Sequence, residues 1–135
     1  MAAAPNTRHQ RMVVRLMGFL LDHIRQHRSG ELLLAPIDVV LSERDMVQPD
    51  LLFVSAERHE RITEPNIQGA PDLAVEILSA STRKTDEVVK RKRYEHFGVR
   101  EYWVVDPELD MVKVHREGPK GFERAAELPG KPAMC

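Results

Sequence analysis

The sequence predicts an α/β fold: a central mixed sheet flanked by helices, in the order helix, three strands, helix, strand, followed by a C-terminal hairpin. Three observations predict it. Apolar residues recur at helical spacing over 13–24, and β-favouring apolar runs follow between 31 and 78. A second helical stretch, closed by Gly98, then leads into three more strand-like runs. The 135 residues fit a single domain, 1–135, able to bury roughly two-thirds of its unfolded surface. Hydrophobic residues at 42% and charged residues at 30% exclude a disordered tail and a membrane protein. The longest apolar runs, 32–35 and 51–54, are far too short to span a bilayer.

The first element runs from Thr7 to Ser29. Thr7-Arg8-His9-Gln10 reads as a capping box, in which the Thr7 hydroxyl and the Gln10 side chain satisfy orphan N–H groups reciprocally. Val13, Leu16, Met17, Leu20, Leu21 and Ile24 then form one apolar face, opposite Arg11, Arg15, Asp22, Arg25 and Arg28. From Glu31 the period changes. Residues 31–35 and 37–41 are β-favouring, and Pro36 between them predicts one bent strand. Ser42-Glu43-Arg44-Asp45 makes a polar turn, and 50–54 predicts a strand buried on both faces. A polar, exposed connection over 55–71 leads to a third strand at 72–78, which is apolar apart from two carboxylates. A basic helix is expected over 83–97, with Gly98 as its left-handed terminator. Strands over 101–105, 111–117 and 122–128 complete the fold, the first two joined by the turn 106–110, and 129–135 is a frayed tail.

The balance of 20 basic against 21 acidic residues gives a net charge of −1, so no global field points to nucleic acid and only local patches matter. A single cysteine, Cys135, makes neither an internal disulfide nor a zinc cluster, and with no leader in 1–5 a reducing cytoplasm is the expected setting.

Strand-borne carboxylates carry the chemical signal, because buried strands rarely hold charge without a use. Asp50 follows Pro49 at the start of one strand; Asp72 follows Pro71 at the start of another, and Glu76 interrupts its apolar middle. Alternation puts Asp72 and Glu76 on one face, roughly 13 Å apart, too far to share one ion on a straight strand. If the two strands pair with Asp50 near Glu76, those two carboxylates approach instead. Carboxylates without cysteine or histidine favour Mg²⁺ or Mn²⁺ over zinc. Lys90, within the basic helix, is the candidate to face a phosphate held there. Each residue has a plainer reading. Pro-Asp before a strand is also a turn signal, so Asp72 is read either as a cap on backbone N–H groups or as catalytic. Asp86 suits the first helical turn, and the patch Arg83, Lys84, Lys90, Arg91, Lys92 and Arg93 reads equally as a phosphate grip or as a solvated face. His23 and His27 are an i, i+4 pair with no third ligand in view. Tyr94, Tyr102 and Trp103 are candidates to stack on bases, with core as the plainer reading for Trp103 in its apolar strand.

The stretch Pro71-Asp72-Leu73-Ala74-Val75-Glu76-Ile77-Leu78-Ser79 continues through Ser81-Thr82, Asp86, Lys90 and Tyr94 and closes with Gly98-Val99-Arg100-Glu101-Tyr102-Trp103-Val104-Val105-Asp106-Pro107. With Pro49-Asp50 upstream, this pattern resembles the Uma family, read as restriction endonucleases with a nuclease core of the PD-(D/E)XK type. The resemblance extends from about His9 to Val114. It implies a restriction-endonuclease-like core, Asp50 and Glu76 as metal ligands, and Lys90 as the positive group, displaced to the helix because Leu78 stands where that superfamily's strand lysine is expected. Members begin with a further N-terminal segment carrying a glutamate ahead of the position that His9 matches; this departure bears on an extra edge strand and on part of the site.

The function expected from the sequence is therefore Mg²⁺- or Mn²⁺-dependent hydrolysis of phosphodiester bonds in DNA. The metal is expected on Asp50, Glu76 and the Ile77 carbonyl, with Lys90 and Asp72 also counted among the catalytic residues. Cutting a duplex takes two sites, so a homodimer is expected. The alternative is a degenerate nuclease-fold module that binds nucleic acid or a protein partner without cutting.

Overall fold

The computed structural model describes residues 7–27, 29–79 and 86–129. Helix α1 (Thr7–His27) opens the chain, and its apolar row becomes a buried seam of Met12, Leu16 and Leu20. These three residues recur every fourth position, so they stack along one face. A buried leucine in such a seam is worth roughly 2–5 kcal/mol against alanine. Leu21, expected on the buried face, lies at its margin and is only half-buried.

A six-stranded sheet crosses beneath the helix in the order β1-β4-β6-β7-β8-β9. Its strands are β1 (Gly30–Leu34), β4 (Leu51–Ser55), β6 (Leu73–Ile77), β7 (Glu101–Asp106), β8 (Met111–Gly118) and β9 (Gly121–Pro129). Only β6 and β7 run parallel; every other neighbouring pair is antiparallel. That parallel pair needs a crossover, which helix α2 (Arg91–Phe97) and a single π-type turn before it (Asp86–Lys90) provide. Gly98 ends α2 at φ 87°, the left-handed conformation that favours glycine. Gly30 is required for a different reason, because a Cβ there would collide with the Val54 carbonyl oxygen of the paired strand.

Alternation along the central strands builds a core on each face of the sheet. Leu51, Leu73, Val75 and Ile77 pack with the α1 seam, while Leu52, Val54, Ala74 and Val104 pack with Tyr94 of α2. The arrangement is helix, mixed sheet, helix, as expected. Within it, two readings are corrected. The bent strand over 31–41 is two strands in different sheets: after the cis Ala35–Pro36 peptide the chain leaves the main sheet and forms β2 (Val39–Val40). Together with β3 (Met46–Val47) and β5 (Ile67–Gln68), β2 makes a second, three-stranded sheet on the α2 side. The connection over 55–71 is not simply exposed. It contains a 3-10 helix (Ala56–Arg61) and β5, with Ile67 and Ala70 buried. Two-residue strands are too short to print a period on the sequence, and one buried isoleucine among polar neighbours carries no alternation. The helix expected over 83–97 is described from Asp86, first as the π-type turn and then as α-helix; Arg83 and Lys84 lie outside the described residues, as do 130–135 of the expected tail.

Candidate active site

The site grows from the pairing of β4 with β6. Leu51 lies opposite Val75, and one step further along the antiparallel register brings Asp50 opposite Glu76. The Asp50 carboxylate is pinned at this end of the sheet: the Ile77 N–H donates to its Oδ2 at 2.7 Å. His9 Nε2, from the first turn of α1, lies 3.3 Å from its Oδ1. Glu76 points toward α2, with only 3% of its surface exposed. Lys90 Nζ stands 3.3 Å from its Oε1, and the Tyr94 hydroxyl donates to its Oε2 at 2.7 Å. Lys90 and Tyr94 are four residues apart, so one helix face presents both to the same carboxylate.

These neighbours set opposing electrostatic demands. Burial pushes the Glu76 carboxyl up, to about 7, with the Asp50 charge adding to the rise; Lys90 and the Tyr94 hydroxyl pull the other way without cancelling it. Burial and the facing Glu76 in turn push the Tyr94 phenol well above its ordinary value. Tyr94→Phe is therefore expected to raise the Glu76 pKa further, because the hydroxyl stabilises the ionised carboxylate. Carbonyl-carbon NMR titration of labelled glutamate would measure the rise; a fall would show that Tyr94 acts mainly by burying the site.

Of the residues singled out in the sequence, Asp50, Glu76 and Lys90 come together. Asp72 does not join them. It sits at the opposite end of β6, where its Oδ2 accepts the Ser55 N–H at 2.6 Å and its Oδ1 lies 3.0 Å from Arg100 Nη1. Arg58, with Nε 3.7 Å from Asp72 Oδ1, also donates through Nη1 to the carbonyls of Ala70, Pro71 and Gly98. Asp72 and the two arginines thus fasten the 3-10 helix to the start of β6 and to the end of α2.

The basic patch is partly spoken for: Lys90 is held by Glu76, and Arg93 Nε lies 3.7 Å from Asp45 Oδ1. His23 and His27 are exposed, the His27 Nδ1 lying 2.8 Å from the His23 carbonyl oxygen. Trp103 is half-buried with its indole N–H donating to Glu101, while Tyr102 is fully buried. Among the described residues, no three His, Cys, Asp or Glu side chains converge as a metal cage. The sequence reading missed His9 as a neighbour of Asp50, and nothing local marks it. It considered Tyr94 only for stacking, although the four-residue step from Lys90 carried the signal.

With this geometry in hand, comparison with known proteins places the chain. Residues 1–133 match the Uma2 family model, described as “Putative restriction endonuclease”. The chain belongs to this family. A Uma2 assignment agrees with the solved structures it resembles. A “putative nuclease belonging to DUF820” from Anabaena variabilis ATCC 29413 superposes with a TM-score of 0.75 at 18% identity, over 94% of this chain and 70% of that one. The type IIG restriction endonuclease BpuSI follows with a TM-score of 0.56 at 9% identity, over 96% of this chain and 15% of that one. At these identities the likeness establishes the fold, which is that of restriction-endonuclease-like nucleases. No curated protein matches by sequence. No helix among the described residues of this Uma2 chain is long and apolar enough to cross a membrane.

Proposed function

We propose that the chain is a Mg²⁺- or Mn²⁺-dependent nuclease that hydrolyses phosphodiester bonds in DNA. One observation carries the reading: Asp50 and Glu76 lie on neighbouring strands at one end of the sheet, with the Lys90 ammonium against them. Oxygen donors fit a hard cation, and Mg²⁺ in particular asks the protein for only one or two carboxylates. The fit is also electrostatic, since two adjacent acids, one of them deeply buried, face a single ammonium. Asp50, Glu76 and the Ile77 carbonyl would hold the ion. Such a cation supplies Lewis acidity toward the phosphate.

The chain's own residues do the rest. The Ile77 N–H and His9 fix the Asp50 carboxylate in one orientation, which removes a cost of ordering it when substrate arrives. Tyr94 does the same for Glu76. Lys90 offers a positive charge to phosphate oxygens as negative charge grows on them in the transition state. A duplex cut then requires two such sites, supporting a homodimer. The lone Cys135 favours a reducing cytoplasm.

The test is nicking of supercoiled plasmid with Mg²⁺ or Mn²⁺, read beside calorimetric titration with Mn²⁺. Asp50→Asn should lose both cation binding and nicking. Lys90→Ala should keep the cation yet cut on the order of 10²-fold more slowly. Equal nicking by the parent and Glu76→Ala would remove Glu76 from the mechanism. A chain that neither nicks nor binds Mn²⁺ would be the non-cutting, nuclease-fold module instead.

A further inference from the structure

Helix α1 carries four arginines against a single aspartate, in a chain whose net charge is −1. Three of the arginines, Arg8, Arg11 and Arg15, follow i, i+3, i+7 spacing and so share one flank of the helix. All three are exposed, and none makes an ion pair with another described residue. The inward seam of Met12, Leu16 and Leu20 fixes how the helix is turned, leaving that row beside the sheet contact rather than in it. The row begins at the residue before His9, whose ring touches Asp50. It spans about 10 Å along the axis and gives way to exposed Phe19 and then Asp22. These cations can meet a phosphate without first giving up a carboxylate partner, whereas Lys90 of the π-type turn and Arg93 of α2 are already engaged by carboxylates.

We infer that the Arg8, Arg11 and Arg15 flank of α1 is the track on which the DNA phosphate backbone docks as it leaves the Asp50–Glu76 site. This inference rests on the nuclease reading and deepens it by assigning the substrate's path. A row of exposed positive charges along one helix flank suits the phosphate backbone, so its affinity is expected to be salt-dependent and to fix position rather than sequence. A basic helix flank also suits an anionic membrane surface. Contiguity with the acidic site favours nucleic acid, because a membrane-bound flank would gain nothing from starting at His9.

The experiment is fluorescence-anisotropy binding of a labelled duplex in EDTA, as a function of salt, on the full chain. The triple variant Arg8→Gln, Arg11→Gln, Arg15→Gln should flatten the slope of log K against log salt by about 3 and weaken binding on the order of 10²-fold at 0.1 M salt. Replacing the same three with lysine should restore most of the slope. Lys120→Gln removes an exposed cation in the turn at the far end of the sheet and should leave the slope unchanged. Circular dichroism confirms that the glutamine variant keeps its helix. An unchanged slope in that variant, or binding of phosphatidylserine vesicles but not of duplex by the parent, overturns the track. A flattened slope in a chain that cuts with neither cation upholds the track while the nuclease reading fails.

Discussion

Glu76→Gln is expected to fold more stably than the parent above pH 7, by about 1–3 kcal/mol without added metal, and to lose nicking altogether. The sign follows from linkage. In the folded chain the Glu76 carboxyl holds its proton to about 7 against an ordinary value of 4.5, so the folded state binds a proton that the unfolded state has released between those pH values. Stability is therefore fully present below 4.5, falls as pH rises through 7, and carries the whole penalty beyond it. One pH unit of displacement corresponds to 1.36 kcal/mol, which puts the ceiling near 3 kcal/mol. The amide keeps the Tyr94 hydrogen bond but leaves Lys90 without its carboxylate, which lowers the gain. Urea denaturation of both chains at pH 5 and pH 8.5 measures it. The gain should shrink toward zero at the lower pH, and a variant less stable than the parent at both would show that the Lys90–Glu76 pair stabilises the fold after all. Saturating Mn²⁺ should erase the advantage, since only the parent binds it. Stability given up at an acidic site in exchange for chemistry is a common trade.

Asp72→Ala should cost about 3–5 kcal/mol, the largest loss expected from any single carboxylate in this chain. The change strands the Ser55 N–H and leaves Arg58 and Arg100 crowded together without the carboxylate between them. Burial already lowers the Arg58 pKa, and losing Asp72 removes the strongest influence opposing that fall. Asp72→Asn should cost less, because an amide oxygen still accepts from Ser55. The informative comparison is between stability and Mn²⁺ affinity. Asp72→Asn should lower the urea midpoint and leave Mn²⁺ binding intact, whereas Asp50→Asn should do the reverse. If Asp72→Asn folds with the parent's stability yet fails to cut, Asp72 acts in the reaction itself and the sequence reading that counted it as catalytic stands.

What could be read from the sequence divides along physical lines. Helix α1 was legible because a burial period of 3.6 persists for 21 residues, and the helix stop at Gly98 because only the left-handed conformation explains a glycine there. Asp50 and Glu76 were legible as charges interrupting apolar strands. Their proximity was not: the register joining Leu51 to Val75 is a long-range fact that neither strand states alone. His9 was invisible for the same reason, since its partner lies 41 positions away and its own neighbours spell only a helix start. For Asp72 the sequence left a cap and a catalytic role open, and it could not announce Arg58 and Arg100, the long-range partners that hold its carboxylate. The small sheet of β2, β3 and β5 was lost because pairs of residues are shorter than any period that could announce them.

The parallel pair of the six-stranded sheet, β6 beside β7, has a consequence for how the protein is made. Asp50 and Glu76 can meet once β4 and β6 have been synthesised, but Lys90 and Tyr94 reach them only when the crossover has closed and β7 has been laid alongside. A growing polypeptide released before Lys90 would carry both acids with no ammonium or phenol against them. For a chain proposed to cut DNA, an unfinished copy is therefore expected to cut far more slowly, because the charge offered to the phosphate is the last part of the site to arrive.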